Sequence, residues 1–294
     1  MRVLILAASG MLGHSLLYAL KRFHGIHTHG TVRSKEPLIG IMSASMIDTL
    51  IDGVDAYDMK TVEKALRDVQ PDVVINCIGI VRQQAEGHMR LPCIELNARL
   101  PHLLHGLCKE YGCRLIHVST DCVFDGRKEG LYSEDDPFTA KDVYGITKYL
   151  GELYEAPAVT IRTSIIGHEL RNKLSLVEWF LVQQDEVKGY AKAIYSGLTT
   201  CELANVIARY ILPNPQLKGL YQVASDPISK LDLLRLVAEI YEKRITIVPD
   251  SEVDDNKALS CAHFREATGY KSPSWSDQIR AMREFNIAYT KDLS

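Results

Sequence analysis

Short apolar runs alternate with helical periodicity through the first half of the chain. Val3 to Ala7, His27 to Val32, Asp72 to Cys77, Arg114 to Ser119 and Val159 to Thr163 predict strands. Met11 to Arg22, Thr61 to Val69, Ile94 to Tyr111 and Val143 to Tyr154 predict helices between them. Strands that read as unbroken apolar runs are buried on both faces, as in a parallel sheet covered by helices on each side. Right-handed crossovers then make the fold class α/β with a doubly wound parallel sheet. The second half is less regular. Leu174 to Gln183, Thr200 to Leu212, Lys230 to Lys243 and Ser276 to Phe285 predict helices; Gly219 to Ala224 and Ile245 to Val248 predict short strands. No repeat or linker divides the chain. The pattern places one large unit over residues 1–166 and a smaller C-terminal α/β lobe over 167–294, across a soft boundary that some segments recross.

Composition narrows the setting. The 294 residues are 46% hydrophobic and 24% charged, and the net charge is -3. That balance gives no reason to expect a nucleic acid polymer or an anionic membrane as partner. The seven cysteines are an odd number with no CxxC pair. Reduced thiols and a cytoplasmic location are therefore expected, with no disulfide framework and no metal. The opening run VLILAA is too short for a signal peptide or a membrane span and reads as a buried strand.

Candidate chemistry begins where the first strand ends, at Ala7-Ala8-Ser9-Gly10-Met11-Leu12-Gly13. A strand, a glycine turn and a helix form the Rossmann-like context for a dinucleotide. Gly10 lets backbone approach a pyrophosphate, Gly13 lets the helix pack closely, and the helix N-terminus at Met11 and Leu12 offers N–H groups to phosphate oxygens. Ala7 replaces the first glycine of the turn, a mild change if its φ is negative. After the second strand stands Arg33, where an NAD-selective site puts a carboxylate. A guanidinium pairs with a 2′-phosphate, so NADP(H) is the expected cofactor, with NADH the weaker alternative. Asp55 is a candidate for the adenine amine, and Cys77, Ile78 and Gly79 for the path of the ribose and nicotinamide.

Tyr144 and Lys148 are four residues apart, so they share one helix face. Ser119-Thr120-Asp121 ends the preceding strand, on the edge where such sheets bind ligands. Reducing a carbonyl makes an alkoxide that must be protonated. A tyrosine can supply that proton, a neighbouring ammonium would lower its pKa from about 10, and a threonine hydroxyl would orient the carbonyl oxygen.

With these residues in place, the sequence resembles the extended short-chain dehydrogenase/reductases and, within them, the dTDP-4-dehydrorhamnose reductase family. The similar stretches are ASGMLG (8–13), PDVVINC (71–77), IELNARLP (94–101), STDCVFDG (119–126), YSEDDP (132–137), VYGITKYLGE (143–152) and IRTS (161–164). The resemblance implies reduction of the C4 keto group of a nucleotide-linked 4-keto-6-deoxysugar, in the supply of polysaccharide precursors. It also implies that Thr120, Tyr144 and Lys148 are catalytic, that Ser9, Gly10, Met11, Leu12, Cys77, Ile78 and Gly79 touch the cofactor, and that Thr120, Asp121 and Tyr144 touch the substrate. Asn97 matches a structural asparagine near the site. Related folds often pair through helices flanking the active-site helix, so a homodimer is an open expectation. Cys122 departs from the usual tyrosine, and Ile165 from a substrate-facing tryptophan, so the identity of the sugar stays open.

Three rivals share the scaffold. A dehydratase needs an acidic pair after the threonine, and here Asp121 is followed by Cys122. A nucleotide-sugar 4-epimerase shares all three catalytic residues but retains its cofactor. A non-catalytic NADP-binding regulatory subunit would not need them. Elsewhere, His24, His27 and His29 are spaced too loosely for a metal site. Trp179 reads as core ahead of sugar contact. Arg171, Lys173, Lys188 and Lys192 read as solvated charges that could meet a diphosphate.

Overall fold

The structure is a computed structural model and describes residues 1–85, 89–171 and 174–293; Lys173 lies outside the described residues. The first half runs β1 (Arg2–Leu6), α1 (Met11–Leu20), β2 (His27–Thr31), β3 (Leu50–Ile51), α2 (Met59–Val69), β4 (Val73–Asn76), α3 (Leu100–Glu110), β5 (Arg114–Thr120), α4 (Val143–Leu150) and β6 (Ala158–Thr163). The second runs β7 (Ile165–Ile166), α5 (Leu176–Val182), β8 (Glu186–Tyr195), β9 (Leu198–Thr199), α6 (Thr200–Val206), β10 (Gly219–Gln222), β11 (Ile228–Ser229), α7 (Lys230–Ile240), β12 (Thr246–Asn256), α8 (Ala262–Thr268) and α9 (Trp275–Lys291).

Seven strands form a parallel sheet in the order β10-β6-β5-β4-β1-β2-β3. Val3, Leu4, Ile5 and Leu6 are fully buried because both faces are covered. Val3 and Ile5 pack toward α1 and α6, Leu4 and Leu6 toward α2 and α3. Strand β1 pairs with β2 on one side and β4 on the other, so the winding reverses there. The reversal opens a crevice at the carboxyl ends of the strands. A separate mixed sheet, β11-β8-β12, packs against α7 and α5 in the smaller lobe. Strand β10 returns from the second half to the large sheet. No helix among the described residues is long and apolar enough to cross a membrane.

Several boundaries differ from the sequence reading, for identifiable reasons. The helix expected over Ile94 to Tyr111 is α-helical from Arg90, π-helical over Ile94–Arg99, and α-helical again from Leu100. Pro101 has no N–H for the Asn97 carbonyl four residues back, so the turn widens there. The helix expected to reach Leu212 likewise becomes π-helical over Ile207–Ile211. Helix α4 ends at Leu150 rather than Tyr154 and is capped at Gly151. Glu152 then turns inward to a buried ion pair with Arg162, 2.6 Å away. Strand β8 was not expected. Its buried positions include Gly189 and Ala193, which carry no apolar signal. A Cβ at Gly189 would lie 2.6 Å from the Leu231 side chain, so small residues let α7 lie directly on the strand. Strand β12 runs eight residues past Val248 along an acidic stretch, and α8 carries too short an apolar stripe to be read.

Ala7 overturns one expectation: its φ is +58°, in the left-handed region, and not negative. The strain closes the turn in which Gly10 N–H donates to the Ala7 carbonyl at 3.0 Å. The left-handed state costs an alanine about 1–2 kcal/mol, and glycine gives back part of the relief through a freer unfolded chain. Ala7→Gly should therefore raise unfolding stability by roughly 0.5–1 kcal/mol in a urea titration.

Candidate active site

Helix α1 begins at Gly10 with no side-chain cap and no acidic residue in its first turn. Its first N–H groups are thus open to an anion beside the exposed Ser9 and Gly10. Leu12 is buried and Met11 half-buried. A Cβ at Gly13 would fall 2.2 Å from the Ala7 carbonyl oxygen, so only glycine lets the helix start this close to β1. Arg33 is exposed just beyond β2. Asp55 is half-buried beyond β3, where its carboxylate accepts from Tyr57 N–H at 3.0 Å.

On the other side of the crevice, Asn76 Oδ1 accepts from Ile78 N–H at 3.0 Å. Asn97, buried on the π-helical turn, accepts from Ile80 N–H at 2.8 Å and donates to the Ile80 carbonyl at 3.1 Å. The segment Cys77-Ile78-Gly79 is strapped down by both asparagines. A Cβ at Gly79 would lie 4.0 Å from Lys148 Nζ, so this segment passes directly beneath the ammonium. An uncapped helix end, an exposed guanidinium and a smooth loop facing an ammonium fit a phosphorylated dinucleotide.

Asp142 caps α4, accepting from Gly145 N–H at 2.8 Å. Tyr144 is half-buried, and the Thr120 hydroxyl acts on its phenol. Thr120 Oγ1 meanwhile donates to Asp121 Oδ1 at 3.1 Å and accepts from Cys122 N–H at 3.1 Å. Lys148 Nζ donates to the Val118 carbonyl at 2.6 Å. Thr120, Asp121, Tyr144 and Lys148 therefore converge on the end of β5.

Here a second expectation is corrected. Burial pushes the Tyr144 phenol up, helped by Cys122 and Asp121 and opposed by the Thr120 contact. Burial likewise brings Lys148 down to about 8. Cys122 is pushed up to about 12, chiefly by burial, and is a neutral thiol. Burial also raises Asp121, against the opposing pull of Lys257 and Thr120. Ile165, at the start of β7, is half-buried against the main core.

Three neighbours were not singled out from the sequence. Arg82 Nη1 lies 4.0 Å from Cys122 Sγ, Lys257 is buried near Asp121, and Tyr195 comes from β8. Arg82 sits in an aperiodic stretch and Lys257 beyond the acidic run of β12, so neither pattern nor motif marks them. Trp179, read as core, is 38% exposed. It lines a cavity of about 340 Å³ with Leu176, Val187, Lys188, Tyr190 and Leu234. Lys188 is paired with Asp250 at 3.0 Å, while Arg171 and Lys192 are exposed.

A doubly wound sheet with a glycine turn after β1, and a threonine, tyrosine and lysine gathered at the end of β5, defines an extended short-chain dehydrogenase/reductase. The comparison with known families narrows this: residues 1–285 match the RmlD substrate binding domain, and the chain belongs to that family. It is similar to the spore coat polysaccharide biosynthesis protein SpsK of Bacillus subtilis (strain 168), with 27% identity over 184 residues, 58% of this chain and 61% of that protein. It is also similar to the dTDP-4-dehydrorhamnose reductase of Burkholderia thailandensis, with 30% identity over 47% of this chain and 48% of that one. The chain thus spans about half to three-fifths of these curated relatives. The crystal structure of dTDP-4-dehydrorhamnose reductase from Bacillus anthracis str. Ames in complex with NADP shares the fold at a TM-score of 0.77. That likeness holds at 20% identity and covers 96% of this chain and 98% of that one.

The Lys148 shift has a consequence for stability. Its pKa in the folded chain, about 8, lies below the ordinary 10.5. Between those values the unfolded chain holds the proton and the folded chain does not, so stability rises with pH across that window, by about 3 kcal/mol in total. Lys148→Met should remove this rise. The wild-type advantage over the variant, from urea unfolding, should grow between pH 7.5 and 10 on the order of that amount; a constant difference refutes the shift.

Proposed function

We propose that the chain reduces the C4 keto group of a nucleotide-linked 4-keto-6-deoxyhexose with NADPH, residues 1–166 holding the cofactor and the lobe over 167–294 closing on the sugar nucleotide. The observation that carries this reading is the convergence of Thr120, Tyr144 and Lys148 at the strand edge beside the uncapped N-terminus of α1. The family and its dTDP-4-dehydrorhamnose reductase relative support the substrate class. Arg33 beyond β2, and the NADP complex of the structural relative, support the cofactor. Ser9, Gly10, Met11 and Leu12 would hold the pyrophosphate, Arg33 the 2′-phosphate, Asp55 the adenine, and Cys77, Ile78 and Gly79 the nicotinamide side.

The reduced nicotinamide, when bound, supplies the hydride. Tyr144 donates its hydroxyl proton to the carbonyl oxygen as that oxygen becomes an alkoxide. A phenol raised by burial is protonated at neutral pH, the state an acid needs. Lys148 would hold the ribose, and its ammonium would stabilise the phenolate left behind. Thr120 would turn from Asp121 to the carbonyl oxygen, leaving Asp121 for a sugar hydroxyl. Cys122, a neutral thiol, does not provide the second acid of a dehydratase.

A screen of nucleotide-linked 4-keto sugars, read by NADPH oxidation, tests the reading. Steady consumption of added NADPH is expected; interconversion of sugars with no net consumption would instead indicate an epimerase. Tyr144→Phe should lower kcat by on the order of 10³-fold while leaving NADPH binding intact, and wild-type turnover would refute its role. Arg33→Ala should raise KM for NADPH roughly 10- to 100-fold and leave KM for NADH nearly unchanged; equal effects on both would remove the 2′-phosphate contact.

A further inference from the structure

Tyr195, the last residue of β8, is 93% buried by its relative exposure of 7%, and no hydrogen bond of normal geometry satisfies its hydroxyl, although the Ser164 side chain lies near enough to act on it. An unsatisfied buried hydroxyl costs about 1–3 kcal/mol, so a ligand group that pairs with it recovers that cost. The ring is firmly held. It packs against Trp275 with centroids 5.5 Å apart, and Trp275 Nε1–H is anchored on the Asp226 carbonyl at 2.7 Å. A Cβ at Gly197 would lie 2.2 Å from the Tyr195 hydroxyl oxygen and 2.2 Å from the Ser164 carbonyl oxygen. The phenol is therefore folded back over Gly197 toward Ser164.

That location places the hydroxyl at the catalytic edge of the large sheet. Thr163 pairs with Thr120 in the β5–β6 register, so Ser164 stands beside the step from Thr120 to Asp121. The polar groups that act on the Tyr195 hydroxyl are Asp121, Cys122 and the Ser164 side chain. Asp121 and Cys122 also act on the Tyr144 phenol. Two phenols, one from α4 and one from the smaller lobe, thus feel the same two residues.

We infer that Tyr195 and Asp121 form a donor and acceptor pair for one hydroxyl of the substrate hexose, which makes Tyr195 a specificity-determining residue. The inference rests on the proposed reductase reading. A hydroxyl both donates and accepts, so it can give its proton to Asp121 and take one from Tyr195. A phosphate only accepts, and it would be repelled by the carboxylate. The rigid ring fixes the position of the hydroxyl, and a site built to hydrogen-bond a substrate OH rejects analogues that lack it.

Tyr195→Phe tests this, because the phenylalanine ring keeps the Trp275 contact. KM for the 4-keto sugar nucleotide that the wild type reduces should rise about tenfold, the loss expected for one hydrogen bond in a desolvated site. KM for NADPH should not change. Binding of dTDP alone, followed by calorimetry, should be unaltered, while binding of dTDP-rhamnose should weaken. The melting temperature of the ligand-free variant should equal or exceed the wild-type value, since an unpaired polar atom is removed. Among 2-deoxy and 3-deoxy analogues of the substrate, one should bind wild type and variant equally. An unchanged KM on a substrate the wild type reduces, or equal weakening of dTDP and dTDP-rhamnose, overturns the role of Tyr195 and leaves the reductase reading standing. Absence of turnover in both proteins across the whole screen overturns both.

Discussion

Helix α4 approaches its neighbours so closely that two of its contacts leave no room for a side chain. A Cβ at Gly145 would lie 2.3 Å from the Cys122 carbonyl oxygen, and one at Gly151 would lie 2.0 Å from the Asn97 carbonyl oxygen. Lys148 falls between these points and Tyr144 immediately before the first, so the end of β5 and the π-helical turn seat both residues. The second contact exists because Pro101 supplies no N–H to the same Asn97 carbonyl. A missing donor in one helix thereby sets the seat of another, while the Asn97 side chain steadies the loop beyond β4. Packed interiors deform little, so the spacing of Thr120, Tyr144 and Lys148 is inherited from backbone contacts made well outside the cleft.

Within the cleft, burial is the dominant electrostatic influence, and it favours neutral forms throughout. It raises Tyr144, Asp121, Cys77 and Cys122 and lowers Lys148. Few hydrogen bonds of normal geometry satisfy them: Lys148 donates to one carbonyl, Thr120 donates to Asp121, and the Tyr195 hydroxyl makes none. Such a site is short of hydrogen bonds among its own groups. A polar ligand with both donors and acceptors supplies what is missing, and this deficit is what the proposed chemistry draws on.

The parts legible in the sequence share one property: they are local. The strand–glycine turn–helix at residues 3–13, the four-residue spacing of Tyr144 and Lys148, and the apolar runs of the large sheet each declare themselves within a short window. What escaped detection depends on partners distant in the chain. Strand β8 hides because Gly189 and Ala193 are small to admit α7. The sign of φ at Ala7 is set by the closure of the turn, which composition does not reveal. Trp179 has the periodicity of a core residue, yet its helix lies at the rim of a cavity. Lys148 as a tuner of Tyr144 is sound chemistry for a filled site. Its Nζ also donates to the Val118 carbonyl, a backbone partner that no side-chain pattern reports.

Among the described residues, strand β12 pairs with no strand but β8 and forms an outer margin of the small sheet, with Asn256 N–H at its end donating to the Gly126 carbonyl at 2.9 Å. An eleven-residue strand with one unpaired side is a template on which another chain could assemble edge to edge. This one carries Asp250, Glu252, Asp254 and Asp255, includes Pro249, and breaks register between Asp250 and Asp254. Two copies brought together there would oppose like charges, meet a residue without an N–H, and lose alignment at the bulge. The acidic run that obscured the strand in the sequence thus works against edge-to-edge pairing along it.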